Sequence, residues 1–414
     1  MSKIYVYDIE TFKHIFCSVF KDIKTKEVFT FEISSRKNEL HKMFDLIRGS
    51  RLIGFNNIDF DYPVIHWIAY NYSKYNSTNI VYQIHQHANH LIKSQFSSIK
   101  PNEVKIPQLD LYRIWHFNNT NKATSLKALE IAMRMDNIID LPFGPHDDIP
   151  EEYFDKVIDY CINDVESTYK FYTLSLPEIK LRCDLSAEYG LDLYNANDPK
   201  IGEEIFLHEL SKEMNIDKYY LRQMRSPANK LVFDNYILDY IKFKTPELQQ
   251  LLYNFKSFVT NNTKGEFSCT ANIGTFAIDY AQGGLHACIK PGIYESNSDV
   301  VIIDLDVASF YPNLAIVNNI RPKHLGESFS KIYKSMFERR KTYDKKDPRN
   351  YGLKIALNGA YGKMNDENSF LYDPEALLSI TLNGQLLLTM LMEEIHLKVN
   401  VKFLQGNTDG FTFM

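Results

Sequence analysis

The stretch VVIIDLDVASFYP, residues 300–312, limits the possible fold more than any other part of this sequence. Val300 to Ile303 is a short apolar, β-branched run, which reads as a buried strand. It delivers Asp304 and Asp306, then Ser309, Phe310, Tyr311 and Pro312. A strand that ends in a carboxylate and is closed by a proline turn holds that carboxylate rigidly at a sheet edge. Alone, the pattern serves equally well for a strand followed by a loop with two solvated acids. The rest of the chain decides between them.

At 414 residues the chain is too long for one ordinary core, so two or three domains are expected. It is 44% hydrophobic and 14% aromatic, enough to fold and too polar for a membrane protein. No apolar run is expected to reach the length of a membrane span, and MSKIYVYDIE is not a signal peptide. Five scattered cysteines without a CxxC pair suit a reducing cytoplasm. The net charge of −5 gives no global basic character, so any contact with nucleic acid depends on where charge is placed.

Lys3 to Tyr7 is strand-like and leads into Asp8, Ile9, Glu10 and Thr11. Period-2 alternation puts Asp8 and Glu10 on one face. Two such carboxylates repel unless a cation sits between them, which points to a divalent metal. A solvated edge strand would show the same pattern. Further on, Gly54 to Asn57 reads as a turn and Tyr62 to Tyr70 as an apolar helix, with Asp61 at its start as N-cap or ligand. His85, His87 and His90 lie in a polar helical stretch without cysteine or acidic partners, and are read as a solvated surface. Thr124 to Leu129 opens a helix capped by Thr124 or Ser125. Glu151 to Tyr172 is a helix on which Tyr160 and Asp164, four apart, share a face.

Together these pieces say more than each alone. Asp8-x-Glu10, Asn56-x3-Phe60-Asp61 and Tyr160-x3-Asp164 resemble, in order and spacing, the three motifs of the four-carboxylate 3′→5′ proofreading exonucleases. Ser125-Leu126-x2-Leu129 is similar to that family's Ser/Thr-Leu motif. The resemblance implies an RNase H-like fold. It implies that Asp8, Glu10, Asp61 and Asp164 hold two Mg²⁺ ions, with Mn²⁺ as a substitute, and that Tyr160 orients the attacking water. Thr11, Asn56, Phe60, Ser125 and Leu126 would meet a single-stranded 3′ end.

Leu174 to Tyr294 reads as a helical connecting region with Asn-rich turns. Within it, Tyr280-Ala-Gln-Gly283-Gly284 allows close backbone approach. It is similar, with one residue inserted, to a Tyr-x-Gly-Gly segment that links exonuclease and polymerase parts in some family B DNA polymerases, and it also reads as a plain turn. Gly283 and Gly284 are on the first reading DNA contacts.

Asp306-x2-Ser309-Phe310-Tyr311-Pro312 resembles motif A of family B DNA polymerases. Asp306 would then bind metal, Ser309 and Phe310 would meet a triphosphate, and Tyr311 would pack under the sugar and exclude a 2′-hydroxyl. Residues 331–349 carry eight basic and three acidic side chains, an amphipathic helix in most proteins. This run leads into Lys354, Asn358 and Tyr361, which fall on one helical stripe with Gly362 one residue beyond. The stripe resembles motif B, with Gly359 where serine is usual. Lys354, Asn358 and Arg340 (or Arg339) would face the triphosphate, and Tyr361 and Gly362 the DNA. Residues 401–414 read as a hairpin turning at Asn407-Thr408-Asp409-Gly410. This resembles motif C, with Asp409 as the second metal carboxylate and Asn407 where an aspartate is usual.

The sequence as a whole therefore resembles a family B DNA polymerase of phage or mobile-element type. The expected fold class is α/β. It comprises an exonuclease domain over 1–175, a connecting region over 176–294, a partial palm over 295–328 and 365–414, and helical fingers over 329–364. Expected partners are primer-template DNA, single-stranded 3′ ends and dNTPs. Gaps of about fifty residues between motifs A, B and C leave no room for the insertions of protein-primed members, so neither protein priming nor much strand displacement is expected. The sequence stops at Met414 inside a strand, so a fragment or split product is expected, with a second polypeptide completing palm and thumb. Two other readings stand beside this one: an exonuclease with a silent polymerase remnant, and a non-enzymatic DNA-binding subunit.

Overall fold

The computed structural model describes residues 3–75, 77–94, 99–100, 103–141, 143–144 and 147–414. The chain divides into two compact units, residues 1–198 and 199–414.

The first unit is built on strands β1 (Ile4–Thr11), β2 (Ile15–Asp22), β3 (Val28–Ser34), β4 (Arg51–Gly54) and β5 (Gln108–Asp110). Its helices are α1 (Leu40–Ile47), α2 (Asp61–Asn71), α3 (Ser77–Ser94), α4 (Leu111–Ile114), α5 (Leu126–Ala132), α6 (Phe154–Leu174) and α7 (Leu176–Tyr189). The sheet order is β3-β2-β1-β4-β5. β1 to β3 are antiparallel, and β4 and β5 continue the sheet parallel to β1.

Helices cover both faces, which is why all eight residues of β2 are buried. On one face Tyr5, Tyr7 and Ile9 pack with α1, α2 and α3. On the other, Val6 packs with Phe154, Val157, Cys161 and Val165 along one side of α6. Alternation along β1 therefore turns Asp8 and Glu10, in register with Val6, toward α6.

The second unit opens with α8 (Asp198–Met214), α9 (Lys218–Leu221), β6 (Leu231–Val232), α10 (Pro246–Lys256) and β7 (Val259–Thr260). A meander of β8 (Ser268–Ile273), β9 (Phe276–Ala281) and β10 (Gly284–Cys288) follows, then β11 (Ile303–Asp306). Four helices come next, α11 (Phe310–Val317), α12 (Gly326–Thr342), α13 (Pro348–Lys363) and α14 (Pro374–Lys398), before the closing hairpin of β12 (Phe403–Asn407) and β13 (Gly410–Phe413). One antiparallel sheet runs β11-β13-β12-β10-β9-β8. α10 and α14 pack against it through Leu248, Leu251, Phe255, Leu378, Leu382 and Leu386.

Four expectations need correction. Val300 to Ile303 is not a buried strand: β11 starts at Ile303, and Val301, Ile303 and Leu305 are 63%, 40% and 36% exposed. β11 lies at the edge of its sheet, so it has a strand neighbour on one side only.

The segment 174–294 is not merely helical, since it supplies half of that six-stranded sheet. Strict alternation of Phe276, Ile278 and Tyr280 inward marks β9 as a one-face-buried strand.

The histidines of α3 are not all solvated. His85 is buried, with Nδ1 3.1 Å from the Thr11 carbonyl. His87 stacks on Trp67 at 5.0 Å, and burial pushes its pKa down to about 4.

Finally, α14 at 25 residues is long and apolar enough to cross a membrane by length and composition. Nearly all its faces are buried within the second unit.

Candidate functional sites

In the first unit, β1 ends in Asp8 and Glu10, and α6 carries Asp164 across from them. One ligand atom from each of these three lies within 4.8 Å of the others. Asp61 stands at the first residue of α2, 4% exposed, where the N–H groups of Asp61 and Ile9 bond its carboxylate. These four acids line a cleft of about 410 Å³ with Phe55, Asn56, Phe60, Tyr112, Thr124, Ser125 and Leu126. Ser125 caps α5 by accepting the Ala128 N–H at 3.1 Å, which resolves the choice between Thr124 and Ser125. Thr11 does not line the cleft.

Electrostatics at this site is that of acids crowded together in a buried cleft. Burial first, then mutual repulsion with Asp61, Asp164 and Glu10, raises the Asp8 carboxyl well above its usual range. Glu10 is raised by burial, Asp164 and Asp61. Burial pushes Asp61 up to about 7 against the pull of its backbone donors. Asp164 also rises to about 7, by burial and then by Glu130, opposed by Lys127 and by hydrogen bonds from Tyr160 and Asn163. Such a donor set fits a divalent cation, because hard carboxylate oxygens that repel one another are relieved by a bound positive charge.

Two residues with no motif of their own shape this cleft. Asp110, fully buried, accepts N–H groups from Asn56 (3.0 Å), Ile58 (3.2 Å) and Tyr112 (2.9 Å). It thereby holds Asn56 in the left-handed region at φ 62°. Its own pKa is pushed up to about 6 by burial. The sequence signal for it is a cap at the start of α4 and nothing more. Cys161 on α6 donates its thiol to Asp8 Oδ2 at 3.7 Å.

In the second unit, β11 pairs with β13 so that Asp306 stands opposite Gly410, and the Val307 N–H bonds the Asp409 carbonyl at 3.0 Å. Thr408 and Asp409 form the two-residue turn between β12 and β13, bringing Asp306 and Asp409 to one end of the sheet. The Asp409 N–H points at Asn407 Oδ1, 3.4 Å away. A Cβ on Gly410 would stand 2.5 Å from the Leu305 carbonyl oxygen, so only glycine admits this strand approach.

Ser309 precedes α11 with φ 50° and ψ 47°, a conformation costly for a residue with a side chain. Behind it Tyr311 is 8% exposed. Its ring centroid is 4.8 Å from that of Tyr361 on α13, and its hydroxyl donates to the Thr408 carbonyl at 3.4 Å. On α14, a Cβ added at Gly384 would lie 3.0 Å from the Tyr311 ring. Three separated stretches thus meet at one side chain.

On α13, Lys354, Asn358 and Gly362 face solvent with Tyr361 half-buried beside them. Arg339 on α12 is drawn to Glu209 at 3.5 Å, while Arg340 Nε reaches Asn350 Oδ1 at 3.3 Å. Gln282 and Gly283 form the turn between β9 and β10, with Gly284 opening β10. Among the described residues, no third acid joins Asp306 and Asp409 within the reach that unites Asp8, Glu10 and Asp164.

No family profile matches this sequence, and no curated protein resembles it significantly. Its fold does match solved structures. One is the family B DNA polymerase from the hyperthermophilic archaeon Pyrobaculum calidifontis, with a TM-score of 0.57 at 16% identity over all of this chain. The chain spans about half that polymerase, 53% of its length. The chain is similar in fold to a family B DNA polymerase.

Proposed function

We propose that the chain belongs to a DNA-synthesising enzyme of family B type with its own 3′→5′ proofreading site. On this reading the first unit is an RNase H-like exonuclease domain (residues 1–175). Residues 176–294, whose β8 to β10 share a sheet with β11 to β13, lead into a palm (295–328 and 365–414) and fingers (329–364). The observation that carries it is the carboxylate cluster of Asp8, Glu10 and Asp164, taken with a fold similar to that of a family B DNA polymerase.

At the first site Asp8, Glu10, Asp61 and Asp164 would hold Mg²⁺. Bound there, the metal would supply an activated water and stabilise a leaving 3′-oxygen. Tyr160 orients the water, while Asn56, Phe60, Ser125 and Leu126 hold the unpaired 3′ end. Thr11 stands outside the cleft and is the weakest member of that set.

At the second site Asp306 and Asp409 would hold the metals that assist attack on the α-phosphate of a dNTP. Lys354, Asn358 and Arg340 face the triphosphate, and the engagement of Arg339 with Glu209 favours Arg340 for that role. Ser309 and Phe310 meet the phosphates through backbone, and Tyr311 bars the 2′-hydroxyl. Tyr361, Gly362, Gly283 and Gly284 line the path of the primer-template.

A second reading has support of its own: this chain alone acts only as an exonuclease. Among the described residues Asp8, Glu10 and Asp164 form a cluster able to hold a metal and no such group of three forms around Asp306 and Asp409, while Asn407 stands where an acid is usual. One assay separates the two. A 5′-labelled primer-template is incubated with Mg²⁺, with and without dNTPs, using wild type, Asp8→Ala and Asp409→Ala. Extension lost only in Asp409→Ala and shortening lost only in Asp8→Ala is the expected result. Shortening without extension selects the second reading, and neither activity sinks both.

A further inference from the structure

Beside the carboxylate cleft lies a cluster that the four-carboxylate chemistry does not use. α5 starts at its Ser125 cap, so Lys127 occupies the first turn and Glu130 the next. Lys127 Nζ lies 3.5 Å from Glu130 Oε2 and 3.2 Å from Asp140 Oδ1, and also bonds the Ile139 carbonyl. Its side chain is only 27% exposed. With acceptors on three sides, this ammonium is held in place, unlike a solvated surface lysine that keeps its rotamer freedom. It sits 5.5 Å from the centroid of the Tyr160 ring, within reach of a cation–π contact.

Glu130 explains why the lysine is there. It is fully buried, and its Oε1 accepts Asn163 Nδ2 at 3.0 Å and Ser167 Oγ at 2.7 Å. Among the described residues no hydrogen-bond donor reaches its Oε2, which leaves the Lys127 charge, 3.5 Å away, to compensate it. A buried carboxylate with one idle oxygen is costly unless a cation stands by. Tyr160, Asn163, Asp164 and Ser167 follow one another at i, i+3, i+4 and i+7 on α6, a single stripe turned to α5. The Lys127–Glu130 pair therefore ties α5 to the very stripe that carries Tyr160.

We infer that Lys127 is a positioning residue of the exonuclease: braced by Glu130 and Asp140, it fixes the Tyr160 ring and so the aim of its hydroxyl. The inference rests on the exonuclease reading above. Without the ammonium, the half-buried tyrosine loses the charged partner over its ring, and its hydroxyl samples poorer directions. Misaim of a group that orients the attacking water lowers the chemical step and leaves DNA binding untouched.

The test is single-turnover excision of a 5′-labelled single strand with Mg²⁺ and excess enzyme, alongside titration of the same strand in EDTA. Lys127→Met keeps the apolar stem and removes the charge. It should slow excision about tenfold, the scale of one modest contact, with the same dissociation constant for the strand. Lys127→Arg should recover most of the rate, and Glu130→Gln should lose part of it. The decisive variant is Lys127→Met combined with Tyr160→Phe, which should be no slower than Tyr160→Phe alone, because the lysine acts through the tyrosine. Thermal melts of each variant separate misfolding from misaim.

Excision by Lys127→Met at the wild-type rate, or a double variant slowed by the full product of both effects, overturns the inference. So does a weakened dissociation constant with an unchanged rate, since that marks a DNA contact. Absence of any Asp8-dependent shortening in the wild-type chain would instead bring down the exonuclease reading, and this inference with it.

Discussion

Asp306 and Gly410 are cross-strand partners, and the glycine at 410 is what lets β13 approach β11 closely enough to pair them. Asp409 precedes Gly410 directly, so the separation of the two candidate carboxylates depends on that approach. Gly410→Ala would drive its methyl to 2.5 Å from the Leu305 carbonyl oxygen, and one strand has to retreat. The expected cost is about 1–3 kcal/mol. Primer extension should fall at least as far as stability does, while shortening in the same assay persists. Extension at the wild-type level would show that the pair tolerates a wider strand spacing.

Asp110 reaches three backbone N–H groups that fix the loop carrying Asn56. Asp110→Ala leaves those donors without an acceptor at a buried position, at about 1–3 kcal/mol. Excision of single-stranded DNA should weaken mainly through looser binding of the 3′ end. Binding titrations check this: an unchanged dissociation constant would mean that the loop keeps its shape without the carboxylate.

The acids of the first site make a pH dependence of stability. Asp61 and Asp164 stand at about 7 in the folded chain, against roughly 3.9 for an unfolded aspartate. Between those values the folded state holds more protons than the unfolded one, so stability falls as pH rises from about 4 to 7. In EDTA the first melting transition should come at a lower temperature at pH 8 than at pH 5. Mg²⁺ should raise it by several degrees at pH 8 and much less at pH 5, where protons compete for the ligands. Asp61→Asn should flatten the EDTA slope. A transition indifferent to Mg²⁺ at pH 8 would argue against a cation site here.

Tyr311, buried and in contact with Tyr361, is proposed to bar ribonucleotides. Tyr311→Val should raise use of an rNTP relative to the matching dNTP by roughly tenfold or more, the scale of one lost steric contact. Gel assays with one rNTP in place of its dNTP read this directly. Unchanged discrimination would assign it to another side chain.

Legibility in the sequence followed the range of the interaction. The shared face of Asp8 and Glu10 comes from strand periodicity alone, and the structure shows it together with Asp164 drawn close. The turn at Asn407 to Gly410 was likewise local. What escaped was set by the fold around it. An apolar β-branched run is buried only where both sides are covered, so Val300 to Ile303 reads as interior although β11 lies at an edge. The polar look of α3 concealed that His85 turns inward to Thr11. Asp110, Lys127 and Glu130 carry no motif, because their partners lie on other elements. β9 is the exception, since its alternation was there to be read.

The ring of Tyr311 beneath α14 has a bearing on how such a chain can change over generations. Gly384 sits mid-helix, where glycine sacrifices roughly 1 kcal/mol against alanine, and the ring 3.0 Å from its missing Cβ is the reason. Tyr361 presses on the same ring from another direction. Substitution at any of these three positions alters what the other two tolerate. Lineages descended from this sequence should therefore vary there in concert, a larger residue at 384 arriving only after a smaller one at 311.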